Sequence, residues 1–179
     1  MANTADVHDL DVSVEIEYAK NTCRIGTDIS GVETTLLLLR SADATLTTLD
    51  RLFRQHGISS GKFNMLLTIA AFSAQDKQDA PKPAQIARKL GVRRPTITGL
   101  LDNLEKDSLV ERKPHSTDGR ALRLELTKKG KKLLDKLLPD YWSILETLSA
   151  PLNASERRGM LRGVEKVYKV LPTLSGNDD

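Results

Sequence analysis

The sequence has few of the residues on which disulfide-bonded, metal-binding and catalytic proteins depend. Its 179 residues include a single cysteine, Cys23, so no intramolecular disulfide can form. The three histidines lie far apart and lack metal-ligand spacing, and no Gly-rich phosphate loop, nucleophile elbow or paired-carboxylate motif appears. We therefore expect no enzymatic activity, no cofactor and no metal site.

Long apolar runs and aromatic residues are also scarce. No run approaches the roughly 20 apolar residues that span a bilayer, and the N-terminus lacks the basic and apolar segments of a secretory signal. With the lone cysteine, this indicates a cytoplasmic protein without a membrane partner. Because aromatic residues make up only 4% of the chain, the core must consist mainly of Leu, Ile, Val and Ala, which suits packed helices.

The positive charge is concentrated in the central third of the chain. Residues 82–132 carry 14 Lys and Arg against 6 Asp and Glu, a balance of +8, whereas residues 1–81 have a balance of −4 and residues 133–179 of −1. A basic block inside a folded region is expected of a protein that binds a polyanion. Taken alone, it is equally consistent with a lysine-rich solvated surface.

Apolar residues recur every three or four positions through most of the chain, which is the spacing of amphipathic helices. The first such stripe comprises Leu39, Ala42, Leu46, Leu49 and Phe53. The second comprises Phe63, Leu66, Leu67, Ala70 and Ala74. Two later stripes comprise Leu134, Leu137, Leu138, Tyr141, Leu145 and Leu148, and then Leu161, Val164, Tyr168 and Leu171. These patterns predict four long helices.

Several helix ends can be predicted from local chemistry. Gly57 is a candidate C-terminal cap for the first helix, and Ser59 or Ser60 caps the second. Asn153, with Glu156 three residues later, resembles a capping box that starts the last helix.

Proline and weak periodicity mark the less regular segments. Pro139 should kink or interrupt the helix that contains it, and Pro172 should end the last helix. Residues 12–19 could form a short helix or strand, and the polar residues 75–82 form a loop.

The central basic block has the order of a helix-turn-helix followed by a β-hairpin. A short helix over residues 83–90 is broken by Gly91, and a second helix begins near Pro95. Its apolar positions are Ile97, Leu100, Leu101 and Leu104. Leu122, Leu124 and Leu126 then alternate with charged residues, as in a half-buried strand, and residues 109–113 can form the opposing strand. The loop between them is polar and basic.

The helix that begins near Pro95 opens with residue types that read DNA. Arg93 and Arg94 can pair with guanine, and Thr96 and Thr98 can touch a thymine methyl or a phosphate. Arg120, at the hairpin tip, can enter the minor groove. The helices alone could be a generic helical hairpin and the tip an ordinary turn, but their conjunction with the +8 charge favours a DNA-binding winged helix.

The same residues resemble the signature of the MarR family. The resemblance rests on residues 85–92 (QIARKLGV), 95–105 (PTITGLLDNLE), 109–112 (LVER), 118–120 (DGR) and 126–130 (LTKKG). The Asp-x-Arg wing followed by Leu-Thr-x-x-Gly is the most specific part. The flanking helices fit in order and length, so the resemblance covers roughly residues 31–171.

The resemblance implies roles for individual residues. Three of them fall where the family contacts the major groove: Arg94, Thr96 and Thr98. Arg120 corresponds to the wing arginine that reaches the minor groove, and Asp118 to the wing acid that pairs with a nearby arginine. Lys82 and Gln85 fall at the start of the supporting helix, where they can touch phosphates, and Lys113 of the hairpin is a further candidate DNA contact.

Three features depart from the family pattern. Arg93 stands where a small capping residue is usual, which leaves two alternatives, a shifted helix start or a direct contact of Arg93 with DNA. Ser108 stands where glycine usually closes the recognition helix. The N-terminal extension is longer than usual and has no assigned role.

The family implies a mostly α (α+β) fold, a winged helix-turn-helix with flanking dimerisation helices. The predicted segments are residues 1–30, an N-terminal extension; 31–58, a dimerisation helix; 59–130, the winged helix-turn-helix; 131–172, the C-terminal dimerisation helices; and 173–179, a disordered tail. A twofold homodimer predicts a pseudo-palindromic double-stranded operator. The family's usual mode is repression.

Members of the family usually respond to small phenolic or anionic ligands, or to oxidants. The candidates for lining a ligand pocket are Phe53, His56, Phe63, Met65 and Trp142. Residues of these types more often simply belong to the core, and His56 beside Gly57 fits a cation at a helix end better than a ligand group. Cys23, near Lys20 and Arg24, leaves open a thiol-based redox sensor.

Two further alternatives use the same fold without reading a sequence. One is a winged helix that binds protein, which predicts neither palindrome selectivity nor strong salt dependence. The other is an architectural DNA binder, which would bind all sequences about equally.

Overall fold

The computed structural model describes residues 11–74, 86–87, 94–114 and 122–174. In chain order the described elements are α1 (Ser13–Thr22), α2 (Ile29–Gln55), α3 (Ser60–Ala74), α4 (Arg94–Lys106), β1 (Val110–Pro114), β2 (Leu122–Leu126), α5 (Lys128–Ser149) and α6 (Ala154–Leu174). The predicted fold class, mostly helical with one small sheet, is confirmed. Of the predicted short helix at residues 83–90, the structure describes only Ile86 and Ala87, which are helical and buried.

Helix α2 ends and helix α3 begins where the predicted capping residues, Gly57 and Ser59, indicate. Gly57 has a φ of +68°, the left-handed region that glycine adopts without strain. Two residues later, the hydroxyl of Ser59 accepts a hydrogen bond from the backbone N–H of Lys62 at 3.3 Å. A bend of only a few residues therefore returns the chain from α2 to α3.

The core of the first compact unit, Met1–Leu137, is formed by several helices and the sheet. Its most completely buried side chains are Phe63, Met65, Leu66, Ile69, Ile86, Ile97, Leu104 and Leu137. The rings of Phe53 and Phe63 stack with centroids 4.5 Å apart. Ala74 is exposed, contrary to its predicted place in the α3 stripe, whereas Thr68 is buried. Buried residues thus lie around most of the circumference of α3, rather than along a single apolar stripe.

The two strands form the predicted antiparallel hairpin. Val110 pairs with Leu126 and Arg112 with Leu124, which puts one set of side chains on the inner face of the sheet. Leu124 and Leu126 are buried there, as their alternation predicts. The hairpin tip, residues 115–121, lies outside the described residues.

Part of the N-terminal extension is a helix that packs on α2. Val12, Ile16 and Ala19 are buried along one side of α1, and Glu15 forms an ion pair with Arg40 of α2. Residues 12–19 were predicted as helix or strand, and the helix is the observed form. The first ten residues lie outside the described part of the chain.

The second compact unit, Leu138–Asp179, contains most of α5 and all of α6. The capping box at its loop is confirmed, because the side chain of Asn153 accepts from the N–H of Glu156 at 3.1 Å. The Glu156 carboxylate in turn accepts from the N–H of Asn153 at 2.7 Å. The reciprocal pair fixes where α6 begins.

The prediction that Pro172 ends the last helix was wrong, and Pro139 does not interrupt its helix, whereas a kink at Pro139 stays a prediction. α5 continues through Pro139 to Ser149, and α6 continues past Pro172 to Leu174. Each proline removes one backbone donor from the helix that contains it. The predicted tail at residues 173–179 therefore starts inside a helix, and residues 175–179 lie outside the description.

Ser108 occupies the left-handed region, with a φ of 57°. This position follows the end of α4, where the family usually has glycine. A non-glycine residue in this conformation costs roughly 1–2 kcal/mol because its Cβ approaches the neighbouring carbonyl oxygen.

We expect Ser108→Gly to raise the free energy of unfolding by about 1 kcal/mol, because glycine relieves that contact at some cost in chain entropy. Urea unfolding followed by circular dichroism measures the change. Ser41→Gly, at an exposed position within α2, is the matched control and should lower the same free energy by about 0.5 kcal/mol. A less stable Ser108→Gly protein would contradict the prediction.

Candidate nucleic-acid interface

Helix α4 has one buried and one exposed side. Ile97, Leu101 and Leu104 are almost fully buried. Thr96 and Thr98 are exposed, as the predicted role of α4 in reading DNA requires. The core contacts on one side thus hold α4 with its polar side toward solvent.

Several predicted contact residues lie beyond what the structure describes. Arg94 is the first residue of α4, next to Pro95 as predicted, but its side chain is outside the description. Five further candidates fall wholly outside the described residues: Lys82, Gln85, Arg93, Asp118 and Arg120. Their roles stay predictions.

Lys113 is held by two carboxylates on the hairpin. Its Nζ lies 2.9 Å from a Glu111 oxygen and 3.0 Å from a Glu125 oxygen. Hydrogen bonds to Glu111 and Glu125 hold the pKa of Lys113 above its usual range. Glu111 and Glu125 are direct cross-strand partners, so Lys113 also offsets the repulsion between like charges. A phosphate contact by Lys113 remains a prediction, and it would have to compete with these two ion pairs.

The end of α4 is joined to the start of α5 by the Leu-Thr-x-x-Gly segment. The Thr127 hydroxyl donates to the carbonyl oxygen of Ser108 at 2.7 Å and accepts from the backbone N–H of Gly130 at 3.0 Å. The backbone N–H of Thr127 donates to the carbonyl of Leu109 at 3.1 Å. One threonine thus caps α5 and holds the residues that follow α4.

Gly130 makes this close approach possible. A Cβ on Gly130 would stand 2.1 Å from the carbonyl oxygen of Leu109, closer than such atoms can approach. The absence of a side chain, rather than an unusual φ, is therefore what this position requires.

Two lysines from different helices converge on Asp107 beside the same junction. Lys62 of α3 donates to the Asp107 carboxylate at 2.6 Å, and Lys129 of α5 donates to its backbone carbonyl at 2.8 Å. The hydrogen bond from Lys62 holds the pKa of the Asp107 carboxyl below its usual range. Cations near the C-terminal end of a helix also complement its dipole. The position of α4 thus depends on α3, the hairpin and α5.

Arg112 makes a contact that sequence reasoning missed. Its Nη2 lies 3.3 Å from Asp102 Oδ1 and 3.0 Å from Glu105 Oε2, so strand β1 is tied to two acids of α4. The sequence did contain an indication of this contact. Side chains alternate between the two faces of β1, so Arg112 lies on the same face as buried Val110. A charged side chain on that face needs partners on the neighbouring helix.

The predicted pocket residues are distributed between core and surface. Phe53, Phe63 and Met65 are buried in the first unit, and His56 caps α2. Trp142, in the second unit, is 51% exposed and packs edge-on against Tyr141. Whether these residues line a ligand site stays a prediction.

Two other sequence-based expectations concern Cys23 and metal or membrane sites. Cys23 is exposed directly after α1, and a redox role for it stays a prediction. Over the described residues, no three His, Cys, Asp or Glu side chains are grouped as metal ligands would be. In the same part of the chain, no helix combines the length and apolarity that a bilayer span demands.

We expect Gly130→Ala to lower the free energy of unfolding by roughly 3 kcal/mol, because the added Cβ must separate α5 from the strand that follows α4. Gly163→Ala is the matched control, since its Cβ would meet open space on α6 and should add up to about 1 kcal/mol of helix propensity. Urea unfolding measures both variants. A Gly130→Ala protein as stable as the wild type would show that the close approach of Gly130 to the Leu109 carbonyl is not required.

Comparison with known proteins identifies similar chains over most of this sequence. The MarR family model matches residues 75–122. The HTH-type transcriptional repressor YetL of Bacillus subtilis (strain 168) is 31% identical over 141 residues, which are 79% of this chain and 81% of the relative. The transcriptional repressor MprA of Escherichia coli (strain K12) is 28% identical over 123 residues, or 69% of this chain and 68% of the relative.

A solved structure has the same fold. The MepR protein of S. aureus, in a complex with DNA, superposes with a TM-score of 0.68 at 24% identity, covering 76% of this chain and 95% of that one. At this identity the likeness supports the fold alone. YetL, at 31% identity over 79% of this chain, supplies the family.

Proposed function

This chain belongs to the MarR family of transcriptional regulators, and from that premise we propose that it is a repressor that binds a pseudo-palindromic DNA operator as a homodimer. A small phenolic or anionic ligand would release it from the operator. The similar proteins YetL and MprA are both named transcriptional repressors, which supports repression over activation. The proposal involves no catalysis and no cofactor, and it assigns the protein to the cytoplasm.

The observation that carries the proposal is the exposed face of α4. Thr96 and Thr98 are exposed on a helix whose other side is locked into the core by Ile97, Leu101 and Leu104. A recognition helix needs this division, because its base-reading side chains must reach the major groove while the helix stays rigid. The +8 balance of residues 82–132 supplies the attraction to phosphate.

The proposed DNA contacts divide into base reading and phosphate binding. Arg93, Arg94, Thr96 and Thr98 would face the major groove. Arg120 would enter the minor groove, with Asp118 orienting it. The remaining candidates would bind phosphates: Lys82, Gln85 and Lys113.

The first test is selection of bound duplexes from random DNA, followed by titration of the selected duplex at two salt concentrations. We expect one palindrome, bound by two chains, with an affinity that falls as salt rises. Arg120→Ala should weaken binding to every duplex and reduce the salt slope. Arg94→Ala should relax selectivity at one base pair per half-site, with a loss of about 1–3 kcal/mol.

The outcomes separate the alternatives. Tight, salt-dependent binding without any selected sequence would indicate an architectural DNA binder. Binding of no duplex would contradict the proposal and favour a winged helix used for protein contacts. Selection of a palindrome whose recognition is lost on peroxide treatment, and retained in a Cys23→Ser protein, would favour the redox-sensing alternative.

The proposed homodimer would cover apolar surface that a single chain leaves exposed. In α2, Leu39 and Leu46 are 61% and 63% exposed, although they belong to the same stripe as buried Leu49. In α6, Leu161 is 60% and Tyr168 72% exposed. Apolar patches of this kind are a common mark of protein interfaces.

We expect the wild-type protein to sediment as a dimer and L161E/Y168E to sediment as a monomer, because two buried carboxylates would lie in the interface. Lys169→Glu, on the polar side of α6, is the control and should leave the dimer intact. Circular dichroism of each variant checks that its helices persist. A dimer of unchanged affinity in L161E/Y168E would exclude this face.

A further inference from the structure

An acidic side chain lies on the face of α4 that is proposed to approach DNA. Asp102 follows Thr98 by four residues, so the two share one side of the helix. The Asp102 side chain is 53% exposed, and the Glu105 side chain is 30% exposed. Two carboxylates on a DNA-facing helix would repel the phosphate backbone.

Arg112 is placed to counter that repulsion. It projects from β1 and lies within 3.3 Å of Asp102 and 3.0 Å of Glu105. Its register partner Leu124 is buried, so the stem of Arg112 starts from the inner face of the hairpin. The guanidinium stands between the hairpin and the recognition helix, which are the two parts of the proposed DNA contact.

We propose that Arg112 is a positioning residue for DNA binding, which neutralises Asp102 and Glu105 and fixes the hairpin relative to α4. This inference rests on the proposed function. With Arg112 present, the three-residue cluster carries a net charge of −1, and without it −2, with both carboxylates uncovered. The role of Arg112 is therefore to mask negative charge, not to contact a base or a phosphate.

The test measures affinity for the selected operator. Arg112→Gln should weaken binding about tenfold, because two uncovered carboxylates then face nearby phosphates. The triple variant R112Q/D102N/E105Q should recover an affinity within about threefold of wild type, since the charges that Arg112 masks are gone. Its salt slope should equal that of the wild-type protein.

A direct phosphate contact makes the opposite prediction. If Arg112 bound phosphate, the triple variant would stay weak and its salt slope would fall by about one, because one released counterion would be lost. The control R112Q/E146Q/E165Q removes two exposed carboxylates from the second unit and should not restore affinity. Equal recovery in the control would overturn the inference, because it would trace the effect to net charge alone.

A second readout does not require DNA. Unfolding of Arg112→Gln, D102N/E105Q and the triple variant forms a double-mutant cycle, and a nonzero coupling between Arg112 and the two acids is expected. Additive effects in this cycle would overturn the inference. Binding of no duplex by the wild-type protein would overturn the proposed function and this inference together. Tight wild-type binding without rescue in the triple variant would overturn the inference alone.

Discussion

The close approach of α5 to the residues after α4 is the constraint on which the rest of the proposed interface depends. Gly130 lies so near the Leu109 carbonyl that no side chain fits between them. Thr127 bonds to Ser108 on one side and caps α5 on the other. Because one short segment sets both helix ends, a shift of α5 at this point must move the end of α4.

The charges around this junction are arranged in local pairs rather than as a uniform basic surface. Lys62 meets Asp107, Lys113 meets Glu111 and Glu125, and Arg112 meets two acids of α4. Exposed pairs of this kind contribute little to stability on their own. Their importance lies in geometry, since each joins two segments or strands. These eight side chains carry three positive and five negative charges, a sum of −2, so the positive balance of residues 82–132 comes from the rest of that segment.

The sequence predicted elements best where chemistry is local. The capping box at Asn153, the left-handed Gly57 and the alternating strand β2 depend on neighbours within a few residues, and all three are confirmed. Interruption at Pro139 and termination at Pro172 were wrong because the propensity of one residue was given more weight than the amphipathic pattern around it.

The candidate site was predictable only in part. Exposure of Thr96 and Thr98 follows from the apolar spacing of α4. The contact of Arg112 with Asp102 does not, because it joins residues on two elements whose packing angle no local pattern contains. The resemblance to the family indicated that residues 126–130 are important. Only the structure shows why glycine stands at position 130, because a Cβ there would lie too close to the carbonyl oxygen of Leu109.

The α2 stripe connects folding with the proposed assembly. Leu49 and Phe53 belong to the core of the first unit, whereas Leu39 and Leu46 of the same helix remain exposed. In this continuous helix the exposed Leu39 and Leu46 precede the buried Leu49 and Phe53. Phe53 of α2 stacks on Phe63 of α3. Lys62, also on α3, donates a hydrogen bond to the Asp107 carboxylate that follows α4. A partner chain that binds Leu39 and Leu46 would thus be linked to the end of α4 through the Phe53–Phe63 stack and the Lys62–Asp107 ion pair. This link requires no direct contact between the partner chain and α4.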